Sequence, residues 1–252
     1  MKNAIAKNSM YNTLNYSGVL QFARRVHRDQ VLILTYHGVL QSGSESYVNR
    51  NCVSAEMFEM QMRWLKKNYY ILPVPEIIDG LQNRRKLPKY TAGITFDDGF
   101  RNNYTVAFQI LVKYNLFATI FSTTDFIGQK DKKLWTERVD AIIQSATMRR
   151  LSLQMNGDLT TFDVSNKGSK ELSSDNIRKY LKTINPSERE RKIRSIEMQV
   201  ESQRECIEEV EERYDFLSWD EIGIMSEGGI SFGSHTTSHA ILATLSPEEL
   251  EA

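Results

Sequence analysis

Residues 92–99 read Ala-Gly-Ile-Thr-Phe-Asp-Asp-Gly: an apolar run, rich in β-branched and aromatic side chains, that ends on two adjacent carboxylates and a glycine. A short run of this kind closed by a turn signal reads as a buried strand, here Ala92 to Phe96. Four other runs share the character: Val31 to Tyr36, Tyr70 to Val74, Phe117 to Ser122 and Gly229 to Gly233. Helical stretches separate most of them. Ser54 is placed as the N-cap of a helix carrying Met57, Met60, Met62, Trp64 and Leu65, and Tyr104 to Tyr114 has apolar residues at helical spacing. Strands alternating with helices predict an α/β chain with a parallel sheet or barrel. The polar residues follow the strands: His37 after the first, Asp97 and Asp98 after the third, Thr123 and Thr124 after the next, His235 after the last. Parallel barrels gather such groups at the carboxyl ends of their strands, so residues far apart in sequence should meet at one mouth.

Between residues 130 and 215 the pattern changes. Leu151 to Met155 and Leu159 to Val164 flank Asn156-Gly157, a strong hairpin signal. A charged segment then leads to Pro186 and a long helix in which Ile193, Ile196, Val200, Gln203, Ile207, Val210 and Tyr214 are spaced alternately by three and four. That stripe either lies on its own domain or pairs with a partner helix, so self-association through 193–214 is an open expectation. The reading is one domain over 1–252 with a hairpin-plus-helix insertion at 130–215.

Composition sets outer bounds. The chain has 252 residues, 40% hydrophobic and 25% charged, enough for one large domain with a real core. Lys plus Arg and Asp plus Glu both number 32, so no global positive field draws nucleic acid, and a neutral substrate suits the balance. Cys52 and Cys206 are too few for a disulfide framework. The N-terminus lacks the apolar stretch of a signal peptide and no run approaches a membrane span, which reads as a cytoplasmic protein. Residues 18–28, GVLQFARRVHR, form either a helix packed on the domain or a basic amphipathic helix resting on a membrane.

Chemistry concentrates in two boxes. Side chains alternate along an extended backbone, so Asp97 and Asp98 should do different jobs, which argues against a glycosidase pair flanking one bond. Taken alone, such a turn can equally be a solvated one. The second box is Ser234-His235-Thr236-Thr237-Ser238-His239, which holds two of the four histidines. A helical turn would put both imidazoles on one face, about 5–6 Å apart between Cβ atoms. Two histidines and one carboxylate leave a coordination position open, the mark of a catalytic rather than a structural zinc site. His27 reads as a surface residue, and Trp135 and Trp219 as packing.

Together, TFDDG and SHTTSH resemble the polysaccharide deacetylases of carbohydrate esterase family 4, the NodB-like group. LILTYHGV, VSAEMFEMQMRWL, FRNNY to FATIFSTTDFIG and FLSWDEIGIM strengthen the likeness, which spans about residues 31–145 and 214–245. The resemblance implies a distorted (β/α) barrel with fewer than eight strands. It implies Asp98, His235 and His239 as ligands of a divalent metal, most simply Zn2+, and Asp97 as general base. The family's usual acid, a histidine late in the domain, has no counterpart after His239. Leu34-Thr35-Tyr36-His37 instead resembles the circularly permuted branch that includes poly-N-acetylglucosamine deacetylases, with His37 as general acid. The sequence ends 13 residues after His239, in what reads as the opening of a helix, so the barrel is expected to be incomplete at its C-terminus, more simply because the chain is a fragment of a longer gene product than because the domain itself is incomplete. The implied activity is deacetylation of N-acetylglucosamine units in a bacterial polysaccharide or its precursor. The alternatives are a glycan-binding or scaffold protein that keeps the metal site without turnover, and a hydrolase of non-sugar N-acetyl compounds.

Overall fold

The computed structural model describes residues 18–41, 51–130, 132–203 and 215–251. In chain order the elements are α1 (Val19–Val26), β1 (Leu32–Tyr36), β2 (Gly38–Leu40), β3 (Cys52–Ser54), α2 (Ala55–Asn68), β4 (Tyr70–Ile71), α3 (Val74–Gln82) and β5 (Thr91–Asp98). After a π-helical turn (Asn103–Phe108) come α4 (Gln109–Tyr114), β6 (Ala118–Ser122), α5 (Trp135–Ser145), β7 (Arg150–Met155), β8 (Asp158–Asp163), α6 (Lys167–Leu181) and α7 (Pro186–Val200). The chain closes with α8 (Trp219–Glu227), β9 (Ile230–Ser234) and α9 (Pro247–Glu251).

The main sheet is parallel throughout, in the order β1-β5-β6-β9, with β4 also on β5. All five expected strands are present, the second cut to two residues because Pro73 and the helix behind it take over. Strand β5 is buried at every position except Asp97, as a central parallel strand covered on both faces must be. Among the described residues β1 and β9 do not pair with each other, so the barrel stays open. This is the distorted α/β barrel of reduced strand number.

Helix α2 starts where its cap predicts, with Ser54 Oγ accepting from the Met57 amide at 3.3 Å. Of its apolar residues, Phe58, Met62 and Leu65 enter the core, whereas Met57, Met60 and Trp64 are exposed. Helical periodicity explains this, since 58, 62 and 65 share a stripe nearly opposite to 57, 60 and 64. The single helix expected over Tyr104 to Tyr114 opens as a π turn around the fully buried Asn103.

The segment read as an insertion holds a separate core of Val139, Ile143, Leu151, Leu153, Ile177, Leu181, Ile193, Ile196 and Val200. The hairpin is antiparallel with Met155 opposite Asp158, and Asn156 and Gly157 both take positive φ (51° and 94°), as a type I′ turn requires. The long helix is shorter than the sequence pattern suggested: α7 ends at Val200, and Gln203 donates back to the Val200 carbonyl while its own carbonyl accepts from Thr147. Ile193, Ile196 and Val200 are 0–2% exposed in the insertion's own core, so this part of the stripe offers nothing to a partner helix. Ile207, Val210, Tyr214 and Cys206 lie outside the described residues. A third cluster joins the two cores: Phe100 and Phe216 from the barrel meet Leu134 and Ala141 of the α5 region.

Candidate metal and catalytic site

Strand register assembles the site. Tyr36 pairs with Phe96, Asp98 with Ser122, and Ser122 with Ser234, so the carboxyl ends of β1, β5, β6 and β9 finish on one line. His37, Asp97, Asp98 and His235 therefore stand side by side although up to two hundred positions separate them in sequence.

Beyond that line the backbone turns sharply. Asp98 and Gly99 have φ of 73° and 80°, and the Gly99 amide donates to the Asp97 carbonyl at 3.0 Å. A side chain at Gly99 is barred twice: the left-handed φ disfavours it, and a Cβ would lie 2.6 Å from Ser122 Oγ and 3.2 Å from Ser122 Cα. Asp98 is a left-handed residue 4% exposed, a conformation kept only where surroundings over-determine it.

The histidine box is a loop and not the helical turn considered from the sequence. The His235 amide donates to Ser122 O at 2.9 Å, Thr124 and Asp125 donate to the Thr236 and Thr237 carbonyls, and Thr236 and His239 both adopt left-handed φ (63° and 56°). Pairing to the β6 end thus bends the loop, and the bend brings the imidazole centroids to 5.2 Å. Both Nε2 atoms point at one carboxylate oxygen: Asp98 Oδ1 lies 3.5 Å from His235 and 3.3 Å from His239. The three ligand atoms lie within 4.8 Å of one another, a group that can hold a metal ion.

Two further details fit a cation. Asp98 Oδ1 is fully buried without a hydrogen-bond partner, a costly state for a carboxylate that an ion would relieve. Burial first, and Asp97 beside it, push the Asp98 carboxyl up to about 7, while burial first, then His235, drive the His239 imidazole down to about 4. His239 is therefore neutral and its Nε2 lone pair available over the physiological range. His37, half-buried, is pulled downward by burial, against the raising field of Asp97, with His235 also lowering it. Those interactions put it at the same mouth as Asp97 and His235.

All five residues singled out from the sequence thus come together. His27 stays outside, exposed, 3.0 Å from Gln30 Oε1. Trp135 packs, lying half-buried on the insertion core beneath the Arg189 guanidinium at 4.6 Å. Trp219 does not pack: as the first residue of α8 it is 65% exposed, a correction to its default assignment.

Sequence reasoning missed what the insertion contributes. Glu137, 3% exposed, is pushed up to about 8 by burial first, then by Asp140 and Asp98, and Lys182 and Arg189 add to the lowering at His239. The available signal was positional. Leu134, Glu137 and Ala141 recur at helical spacing, so a carboxylate sits inside an otherwise apolar stripe.

Comparison with known proteins agrees with this geometry. A polysaccharide deacetylase family model matches residues 84–252. The Bacillus subtilis protein YxkH is 36% identical over 99 residues, covering 39% of this chain and 33% of that protein. Poly-beta-1,6-N-acetyl-D-glucosamine N-deacetylase of Staphylococcus epidermidis is 33% identical over 116 residues, covering 41% and 39%. The matched stretch thus spans well under half the length of these relatives. Among solved structures, IcaB from Ammonifex degensii superimposes with a TM-score of 0.48 at 17% identity, covering 88% of this chain and 63% of that one.

Proposed function

The chain belongs to the polysaccharide deacetylase family, and on that premise we propose that it hydrolyses the acetamido groups of N-acetylglucosamine units in a bacterial polysaccharide or its precursor. The observation that carries the reading is the convergence of Asp98, His235 and His239 on one point, with a buried, unpaired carboxylate oxygen at its centre. The choice of sugar rests on the name of the Staphylococcus epidermidis relative. The same reading takes residues 1–252 as one catalytic domain and 130–215 as an insertion into it.

Asp98, His235 and His239 would hold a divalent ion, read as Zn2+ from its one-carboxylate, two-imidazole donor set. A bound ion supplies Lewis-acid polarisation of the acetyl carbonyl and activates water near neutral pH. Asp97, more accessible than Asp98 and adjacent to it, takes the proton that the attacking water loses. His37 enters protonated and gives its proton to the leaving nitrogen, so that the C–N bond breaks to release the amine, with the acetyl group ending as acetate. Asp97 must be ionised while His37 is charged; burial, the larger effect, lowers His37, and the field of Asp97 opposes that lowering.

Acetate release from N-acetylglucosamine oligomers, measured before and after chelation, tests the proposal. Release should stop with chelator and return with added zinc. Release that persists without metal refutes it, and stoichiometric metal binding without any release would leave a glycan-binding protein instead.

A further inference from the structure

An amphipathic helix on a protein surface normally packs its apolar side inward. Helix α1 does the reverse. Val19, Phe22 and Val26, spaced i, i+3, i+7 on one face, are 49%, 70% and 59% exposed. The half-buried residues are instead Ala23 and Arg24. Arg24 donates to Asn68 Oδ1 at the end of α2 and lies 5.3 Å from the Tyr90 ring centroid, and the Arg28 carbonyl accepts from the Tyr90 amide at 2.7 Å. The helix is tied down by hydrogen bonds and a cation–π contact, and Val19, Phe22 and Val26 are left facing outward.

The neighbouring helix repeats the arrangement. Met57, Met60 and Trp64 of α2 form a second outward stripe at the same spacing, and Asn68, which holds Arg24, also donates to the Trp64 carbonyl at 2.7 Å. Two exposed apolar stripes are thus joined at one corner.

Charge identifies what covers them. The whole chain is neutral, yet residues 1–28 contain Lys2, Lys7, Arg24, Arg25 and Arg28 and no Asp or Glu. Arg63, Lys66 and Lys67 add to this on α2. Cations outnumber acids around these apolar side chains, Asp29, Glu56 and Glu59 against Arg24, Arg25, Arg28, Arg63, Lys66 and Lys67, which matches the boundary between acyl chains and anionic headgroups and would be a poor match to a second copy carrying the same positive charge.

We propose that α1, with the adjoining stripe of α2, seats this protein on an anionic lipid surface. Phe22 and its neighbours enter the headgroup boundary, and Arg25 with the basic residues of α2 meets lipid phosphates. Helix α1 joins the sheet at the amino ends of β1 and β5, whereas Asp97 and Asp98 close the other end of β5. The catalytic mouth therefore points away from the seated end.

Sedimentation of the full chain with vesicles tests this. Vesicles of equal parts phosphatidylcholine and phosphatidylglycerol should carry the protein down, and pure phosphatidylcholine vesicles should not. Phe22→Ser, at an exposed position, should weaken binding roughly tenfold, the worth of one buried aromatic side chain, and Arg25→Gln roughly fivefold. Both variants should retain their zinc, which reports an intact fold at the opposite end. Equal binding to both vesicle types, or unchanged binding by both variants, overturns the proposal. So does a wild-type dimer that Phe22→Ser dissociates in the absence of vesicle binding, which would make the cover a second copy.

Discussion

The barrel mouth and the insertion both bury charged groups, and they treat them oppositely. In the insertion, Arg178 meets Asp140 at 2.8 Å, Ser174 donates to the same carboxylate, and the buried Arg189 is held by the Leu181 and Ile184 carbonyls. At the mouth, Asp98 Oδ1, Ser122 Oγ, Thr236 Oγ1 and His239 Nδ1 are buried with no partner, and three left-handed non-glycine residues crowd into the same few turns. A folded chain pairs its buried polar groups unless something else is to pair them. The insertion pairs these buried charges, although its neutral Trp135 Nε1 and Gln144 Nε2 lack partners, whereas the mouth leaves a carboxylate oxygen open to a ligand.

Removing one metal ligand should break that contrast most severely. His239→Ala or His235→Ala should abolish stoichiometric zinc by elemental analysis and reduce acetate release to background, with the core still folded by circular dichroism. Full zinc content in both variants would remove the mouth from the metal assignment.

Asp97→Asn sharpens the distinction within the mouth. It preserves shape but not basicity, so zinc should stay while turnover falls by about two to four orders of magnitude. His37→Ala should likewise leave zinc in place and lower turnover on amides, with a much smaller loss on an activated ester whose leaving group needs no proton. Equal losses on both substrates would take the acid role from His37.

How legible this contrast was in the sequence differs by element. The strands of the sheet were readable because β-branched runs such as Ala92 to Phe96 are buried on both faces and carry their turn signal with them. The hairpin was readable from Asn156-Gly157, since few other pairs tolerate two positive φ values. Two features were not. The stripe from Ile193 to Tyr214 continues past the point where the helix ends, because periodicity records which face is apolar and not where the chain turns. The shape of the histidine loop was not readable, because spacing by four suits a helix, whereas its actual bend comes from pairing with β6, a contact more than a hundred residues away. Apolar spacing likewise could not say which stripe of α1 or α2 faces the core.

A pH series separates the mouth from the insertion more finely. Without metal, Asp98 is raised to about 7 from 3.8, and Glu137 to about 8 from 4.5, burial being the largest cause for each. A carboxyl raised by folding holds its proton more tightly in the native state, so its contribution is fully present below about pH 4 and is lost as pH rises through 7 to 8. The chelated protein should therefore melt at least about 3 °C lower at pH 8 than at pH 5. Zinc, which needs Asp98 ionised, should shrink or reverse the difference, because its affinity rises as that proton leaves. A melting temperature that rises with pH in chelator would contradict the burial of these two carboxyls.

The smallest effect belongs to the insertion's outer face. Arg138 bridges Glu190 at 2.8 Å and Glu197 at 2.9 Å, tying α5 to α7, yet the two glutamates are 42% and 39% exposed. Water screens such pairs and both partners can rehydrate when one is lost, so Arg138→Ala should cost no more than about 1 kcal/mol in denaturant unfolding. Zinc content and turnover should not move, even though Arg138 is the residue directly after Glu137. A larger loss of stability would mean that α5 depends on this bridge and not on the packing of Val139 and Ile143. A change in zinc content would mean that the insertion's paired charges and the mouth's unpaired ones form one electrostatic unit.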